Sequence, residues 1–246
     1  MTGPFRVRAA NLYVRNPRAA DDAPVLVEDE PHLVAVSEAR GGWESVLPAI
    51  DGYQYLGRRP GDRGSHGSRE VGLLVRDDVQ VVDADVVQLS EAVPRSLVAH
   101  DRWGVWARLV LPGGVRALGW STHRNAFVQR PDGGVRRSAR GTAEYRAHVR
   151  AETELQQRQA DDGWPLLGGG DYNYRVPCGL LSEVDRAWGY APHRVFPAAG
   201  FSYVPHGLDG ICLDPRAFAP VDGLEVIPRR RTGSDHDWIT LTVRAS

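Results

Sequence analysis

The stretch Leu166-Leu167-Gly168-Gly169-Gly170-Asp171-Tyr172-Asn173-Tyr174 joins an apolar run to three glycines, then an acid, an aromatic and an amide. Leu166 and Leu167 read as the end of a buried strand. The glycines allow a sharp turn and a close approach of the backbone to another group. Asp171 and Asn173 stand two residues apart, a spacing that in an extended segment puts both side chains on one side. A carboxylate beside an amide can hold a water against a metal-bound substrate. The same residues also make an ordinary polar strand-to-loop turn, and a motif this short matches by chance. The rest of the chain decides between the two.

Residues of the same chemical types recur at the ends of other apolar runs: Asn11, Glu38, His123, Asp209 and the pair Asp235-His236. Burying such groups without partners costs on the order of 2–7 kcal/mol each. They are tolerable if they meet at one end of the sheets and serve one another or a metal. Taken singly, Asn11 is a turn former, Glu38 a solvated loop acid and His123 a strand cap. Ser234-Asp235 would cap a helix, but the following Trp-Ile-Thr-Leu-Thr-Val is alternating and β-branched, so no helix follows. Asp209, between Leu208 and Ile211, needs a cationic or hydrogen-bonding partner, and His236 is the natural candidate.

These residues need a scaffold of strands. Phe5 to Val14 reads as a strand, with Asn11 interrupting its two-sided apolar half. His32 to Val36 is a buried strand ending in Ser37-Glu38. Further strands are expected at Tyr53–Leu56, Val71–Val75, Val79–Leu89, Gly207–Leu213, Leu224–Ile227 and Trp238–Val243. Arg102–Leu111 and Val115–Trp120, joined by Pro112-Gly113-Gly114, form a hairpin that leads into Ser121-Thr122-His123. Asn16–Glu30 is an acidic loop with room for a short helix. Thr142–Ala160 has helical composition with a thin apolar stripe of Tyr145, Val149 and Leu155, as expected of a surface helix. Leu180–Trp188 is a short helix candidate. No repeat, low-complexity segment or linker divides the chain, so residues 1–246 are expected to form one α/β domain with a strand-rich core.

Composition narrows the class. The 246 residues are 42% hydrophobic and 25% charged, ordinary for a globular protein. Two cysteines, Cys178 and Cys212, imply no disulfide framework and could make at most one bridge. No apolar run is long enough to cross a bilayer, and the N-terminus carries no secretory apolar region. A soluble, cytoplasmic, monomeric protein is expected. The net charge of −1 does not announce a nucleic-acid binder. Every basic residue besides histidine is arginine, which genomic base composition alone can produce. Arginine stays charged and grips phosphate bidentately whatever the cause.

Taken in order, Ala-Asn11-Leu, Val-Ser-Glu38, Ser-Thr-His123, Gly-Gly-Asp171-Tyr-Asn173, Leu-Asp209-Gly-Ile and Ser-Asp235-His236 resemble the endonuclease/exonuclease/phosphatase superfamily, over nearly the whole chain. The resemblance implies a four-layer α/β sandwich, two packed mixed β-sheets flanked by helices, with the active site at one edge. It implies phosphate-ester hydrolysis with Mg²⁺ or Mn²⁺. By the same resemblance Glu38 is the principal metal ligand, with Asn11 and Asp235 near the metal. Asp171 is the base that positions the attacking water, and Asn173 a donor to the phosphate. His236, oriented by Asp209, bonds the scissile phosphate, and His123 is a second histidine there. Arg102, Arg124 and Arg137 are candidate phosphate or substrate contacts, and Glu70 a carboxylate that orients His123.

Three positions depart from the pattern. Tyr172 stands where phenylalanine is usual, and Ser37 where glutamine is common. Asp237 replaces a basic or small residue and adds negative charge beside the site. Arginine clusters at Arg58–Arg69, Arg130–Arg140 and Arg229–Arg231 each lie one loop from a proposed catalytic residue. Such a rim is an electrostatic footprint for a polyanion, which makes a nuclease acting on DNA the leading expectation. The alternatives are a phosphatase or phosphodiesterase on a small molecule or lipid headgroup, and a catalytically silent binding module of the same fold.

Overall fold

Thirteen strands and four α-helices carry the described residues of the computed structural model, 3–58, 69–92, 101–125, 139–175 and 189–246. In chain order the first strands are β1 (Phe5–Asn11), β2 (Leu33–Ser37), β3 (Tyr53–Gly57), β4 (Val71–Arg76), β5 (Gln80–Ser90), β6 (Arg102–Leu111) and β7 (Val115–His123). They continue as β8 (Leu166–Asp171), β9 (Ser202–His206), β10 (Asp209–Leu213), β11 (Phe218–Pro220), β12 (Glu225–Ile227) and β13 (Trp238–Ala245). The helices are α1 (Ala19–Leu26), α2 (Trp43–Val46), α3 (Ala139–Asp161) and α4 (Pro192–Ala198).

One sheet runs β11-β13-β1-β2-β4-β3, with β12 also on β13; the other runs β5-β6-β7-β8-β10-β9. Both are mixed: β1–β2 and β7–β8 are parallel and the remaining pairs antiparallel. Period-2 alternation sends one side of each strand between the sheets. Val7, Ala9, Leu33, Ala35 and Leu73 of the first sheet pack there against Leu109, Ala117, Leu167, Ile211 and Leu213 of the second. The opposite side of the first sheet, with Ala10, Val34, Val36 and Leu74, is covered by α1 and α2 through Leu26 and Trp43. The opposite side of the second, with Leu118, Trp120, Leu166 and Cys212, is covered by α3 and α4. The result is the expected sandwich of helices, sheet, sheet and helices.

Several local expectations are corrected. Strand β1 stops at Asn11 and does not continue to Val14, because Tyr13 turns left-handed at φ 56° with its N–H on Asn11 Oδ1. The three glycines lie inside β8 and are fully buried, so they do not make a turn. Their use is close approach: a Cβ on Gly169 would meet Gly210 O at 2.5 Å and Ala9 Cβ at 2.9 Å. Helix α3 is not a surface helix. His148, Glu152 and Gln156 on its inner side are all buried. Helices α2 and α4 and strands β9 and β11 were not anticipated; all are short, and α4 carries Pro197 inside it. The helix expected at Leu180–Trp188, Cys178 and Arg137 lie outside the described residues. Cys212 is a buried free thiol. Among the described residues no helix is long and apolar enough to cross a membrane.

Candidate active site

Four strands that carry apolar side chains into the gap between the sheets end that row with a polar one. On β1 the inward row Val7, Ala9 ends at Asn11. On β7 the row through Ala117 ends at His123, on β8 the row Leu167, Gly169 ends at Asp171, and on β10 the row Leu213, Ile211 ends at Asp209. Register brings three of these side by side, since His123 pairs with Asp171 and Asp171 with Asp209. Asn11 pairs with Ser37, which places Glu38 one residue beyond the end of β2. A common inward parity thus delivers a polar cluster to one mouth of the core.

Asp171 is the hub. Its Oδ1 accepts the Asn173 N–H at 2.7 Å and its Oδ2 accepts Asn11 Nδ2–H at 2.9 Å. The same Asn11 amide donates to Glu38 Oε1 at 3.2 Å, and the Val14 N–H reaches Glu38 Oε2 at 3.2 Å. His123 Nε2 lies 3.7 Å from Asp171 Oδ2. Past Asp171 the chain leaves the strand, with Asn173 in left-handed conformation at φ 49°. Asn173 is therefore brought beside Asp171 by a tight turn and not by extended alternation. One Asn173 amide hydrogen is bound to Arg124 O at 2.8 Å.

His236 Nδ1 stands 2.6 Å from Asp209 Oδ2, the pairing expected from sequence. Burial works against a charge on this imidazole, but the hydrogen bond to Asp209 and the charges of Asp209, Asp171 and Asp235 outweigh it and raise its pKa to about 10. Asp209 Oδ1 is buried with no hydrogen-bond partner among the described residues. The segment bearing His236 is tied to β1: Ser234 Oγ donates to Asn11 O at 2.7 Å, and Trp238 Nε1 donates to the same oxygen at 2.8 Å. Asp235 is exposed beside His236.

Glu70 accepts from Arg102 Nη1 at 2.9 Å and from Arg40 Nη1 at 3.4 Å, and His123 Nδ1 lies 3.5 Å away. Burial raises the Glu70 carboxyl, but His123, Arg102 and Arg40 more than offset this and hold it at about 2. Arg102 also touches His123 Nδ1 at 3.1 Å and donates to Asn125 Oδ1 at 3.0 Å. Glu70 and Arg102 therefore both lie against His123 Nδ1.

Arg124 does not reach the cleft. One residue beyond His123 it has the opposite parity, and its side chain points into the outer layer. There it is fully buried and donates through Nε to Glu152 Oε2 of α3 at 2.8 Å. Burial opposes its charge, and Glu152 more than compensates, so the guanidinium stays protonated.

The sequence reading missed the second histidine–carboxylate pair, His206 with Asp237. His206 is opposite Asp209 in register, and its Nε2 lies 3.0 Å from Asp237 Oδ2. Asp237 Oδ1 accepts the Arg229 N–H at 2.8 Å; that bond and His206 lower its pKa. The extra acid is thus answered locally. Arg40 was missed too, although its spacing of two from Glu38 was a usable signal.

Glu38, His123 and Asp171 each place one donor atom within 4.8 Å of the others; Asp171, Asp209 and His236 do the same. Glu38 and Asp171 offer carboxylate oxygens that suit a hard divalent cation, and Asn11 turns its amide nitrogen to both while its oxygen accepts the Tyr13 N–H. In the second group the short Asp209–His236 hydrogen bond makes a proton-sharing pair. Asp235 belongs to neither group.

No model of a known family matches the chain, and no curated protein matches it. Solved structures do. An endonuclease/exonuclease/phosphatase from Bacteroides vulgatus superposes with a TM-score of 0.68 at 16% identity, over 100% of this chain and 100% of that one. A humanized D. rerio TDP2 carrying 14 mutations gives 0.67 at 17% identity, over 99% of this chain and 100% of that one. The mannosyl-6-phosphatase Bt3783 of Bacteroides thetaiotaomicron gives 0.65 at 13% identity, over 98% and 99%. With the two-sheet topology and its cleft already in place, this likeness in architecture over whole chains identifies the fold as that of the endonuclease/exonuclease/phosphatase superfamily.

Proposed function

We propose that the chain hydrolyses phosphodiester bonds with a bound divalent cation, Mg²⁺ or Mn²⁺, and that its substrate is DNA. The observation that carries the reading is the meeting of Asn11, Glu38, His123, Asp171, Asp209 and His236 at one mouth of the gap between the sheets. In this reading residues 1–246 act as one domain and as a monomer. Glu38 would hold the cation, with Asn11 and Asp235 close by. When bound, it supplies Lewis-acid polarisation of a phosphoryl oxygen.

The chain's own residues do the rest. Asp171, fixed through both oxygens by Asn173 and Asn11, orients an attacking water and accepts its proton. His236, kept protonated by Asp209, donates a hydrogen bond to a phosphoryl oxygen as negative charge builds there. His123, held by Arg102 and Glu70, offers a second donor through Nε2. Asn173 keeps one amide hydrogen for the phosphate.

DNA is favoured by arginine beside the cleft. Arg229 Nη1 lies 3.4 Å from Asp235 O, next to His236, and Arg230 is exposed. Arg231 pairs with Glu28 at 3.0 Å, so it offers less free charge. Most of the other two clusters lies outside the described residues. A small phosphoester is the second reading, favoured by the likeness to the mannosyl-6-phosphatase.

Nicking of supercoiled plasmid tests the proposal. Nicking with Mg²⁺ is expected, and its loss with EDTA and in Asp171→Ala. Folded wild-type protein that spares plasmid but hydrolyses a phosphomonoester would move the assignment to the second reading. No metal-dependent turnover of any phosphoester would end both.

A further inference from the structure

We infer that Arg124 is a positioning residue: its buried guanidinium, anchored on Glu152 of α3, fixes the turn that presents Asp171 and Asn173, so the outer helix sets the geometry of the site. The inference rests on the phosphoesterase reading for its catalytic consequence.

Arg124 encloses the turn from several sides. Its N–H donates to Asp171 O at 2.8 Å, and its carbonyl accepts from Asn173 Nδ2 at 2.8 Å. Its guanidinium lies over the Tyr172 ring, 4.7 Å from the centroid, and over Phe196 at 5.3 Å. Its Nη1 donates to Tyr145 OH at 3.3 Å, and that hydroxyl donates to Tyr172 O at 3.1 Å. On the far side Glu152 takes Arg124 Nε–H with one oxygen and Trp120 Nε1–H with the other, at 2.8 and 2.9 Å. The Arg124 main chain thus holds Asp171 and Asn173, and its guanidinium holds Tyr172 between them, at the ring and, through Tyr145, at the carbonyl. A buried ion pair is weak evidence for net stability, since apolar replacements often serve the fold as well. The contacts here converge on one turn, and that points to placement of the catalytic groups.

Removing one partner would strand the other charge, so the test removes both. The variant Arg124→Met/Glu152→Gln keeps an acceptor for Trp120 and leaves neither charge of the pair stranded. Bis(p-nitrophenyl) phosphate with Mg²⁺ is the probe, beside amide hydrogen exchange. The expected result is a folded protein whose kcat falls about 10- to 100-fold while KM stays within about twofold. The Tyr172 and Asn173 amides should exchange about tenfold faster or more, with β1 unchanged. In an Asn173→Ala background the same pair of changes should cost less than about threefold more, because it acts through that turn. Wild-type kcat with wild-type exchange overturns the inference, as does faster exchange spread evenly over both sheets. If the double variant fails to fold, Arg124→Lys decides. It keeps the charge beside Glu152 but loses the flat stack on Tyr172, and the same local changes are expected at smaller size. If wild-type protein turns over no phosphodiester, the proposed function fails, and exchange at residues 172 and 173 alone decides the role of Arg124.

Discussion

Asp171 shows how closely spaced the chemistry is. One buried carboxylate takes a backbone N–H and an amide N–H, and faces an imidazole at 3.7 Å. Beside it stand two non-glycine residues with left-handed backbone, Glu38 at φ 53° and Asn173 at φ 49°. Such conformations cost of order 1–3 kcal/mol each and persist where the surroundings impose them. Both residues were singled out from sequence on chemical grounds, whereas Tyr13, Asp29 and Glu30 are left-handed with no proposed chemical role. Across the cleft, Asp209 bonds His236 Nδ1 and thereby keeps the imidazole charged with Nε2 free to donate. Asp209→Asn removes the charge while keeping the volume. It should lower kcat by about 100-fold or more, the scale of a lost proton-donating group. Steady-state hydrolysis of bis(p-nitrophenyl) phosphate measures this, and a rate within a few-fold of wild type would remove His236 from the mechanism.

At the scale of elements, alternation explains both what the sequence disclosed and what it hid. The polar ends of β1, β7, β8 and β10 were visible because each interrupts an apolar row. Arg124 was misassigned because adjacency to His123 in sequence means the opposite side of a strand. The glycines of β8 announced close approach, but only the paired strands show that the contact is with β10 and β1. Helix α3 hid its buried side because that side is polar: His148, Glu152 and Gln156 face Trp120, Thr122 and Arg124 of β7 and the residue that follows it. No hydrophobic pattern can disclose a buried polar layer, and this one is only partly paired: Arg124 Nη2, His148 Nδ1 and Gln156 Oε1 have no hydrogen-bond partner among the described residues. His148 has a measurable consequence. Burial first, then the charges of Arg124, Arg102 and His123, push its pKa well below the usual value, with Glu152 at 3.7 Å facing it. Its unfolded value is about 6.5. Below that pH the unfolded chain binds a proton that the folded chain refuses, so stability falls as pH drops and is level above it. The slope approaches about 1.4 kcal/mol per pH unit for this one group. His148→Gln keeps a partner for Thr122 and should flatten the stability profile between about pH 6.5 and 4.5. Denaturant midpoints of both proteins across that range check it, and parallel profiles would show that His148 is not held neutral.

For the whole molecule the open matter is how a chain of net charge −1 would capture a polyanion. Its 31 acidic residues nearly balance its arginines, so long-range attraction is weak and any affinity for DNA must come from where the arginines sit. Many are already engaged: Arg6 with Glu225, Arg76 with Asp78, Arg102 with Glu70, Arg216 with Asp214 and Arg231 with Glu28. Near His236 the exposed segment Arg229–Arg231 lies against the loop of Asp235. A substrate gripped by a local cluster releases counterions from each phosphate it gives up to an arginine. With about four such contacts, subsaturating plasmid nicking should fall roughly 100-fold between about 50 and 200 mM salt. Hydrolysis of bis(p-nitrophenyl) phosphate, which spans one phosphate, should change less than about threefold over the same range. The second substrate separates a loss of binding from a loss of catalysis. Equal salt responses for the two substrates would mean that the arginines do not engage a polyanion, and the DNA assignment would give way to a small phosphoester at the same cleft.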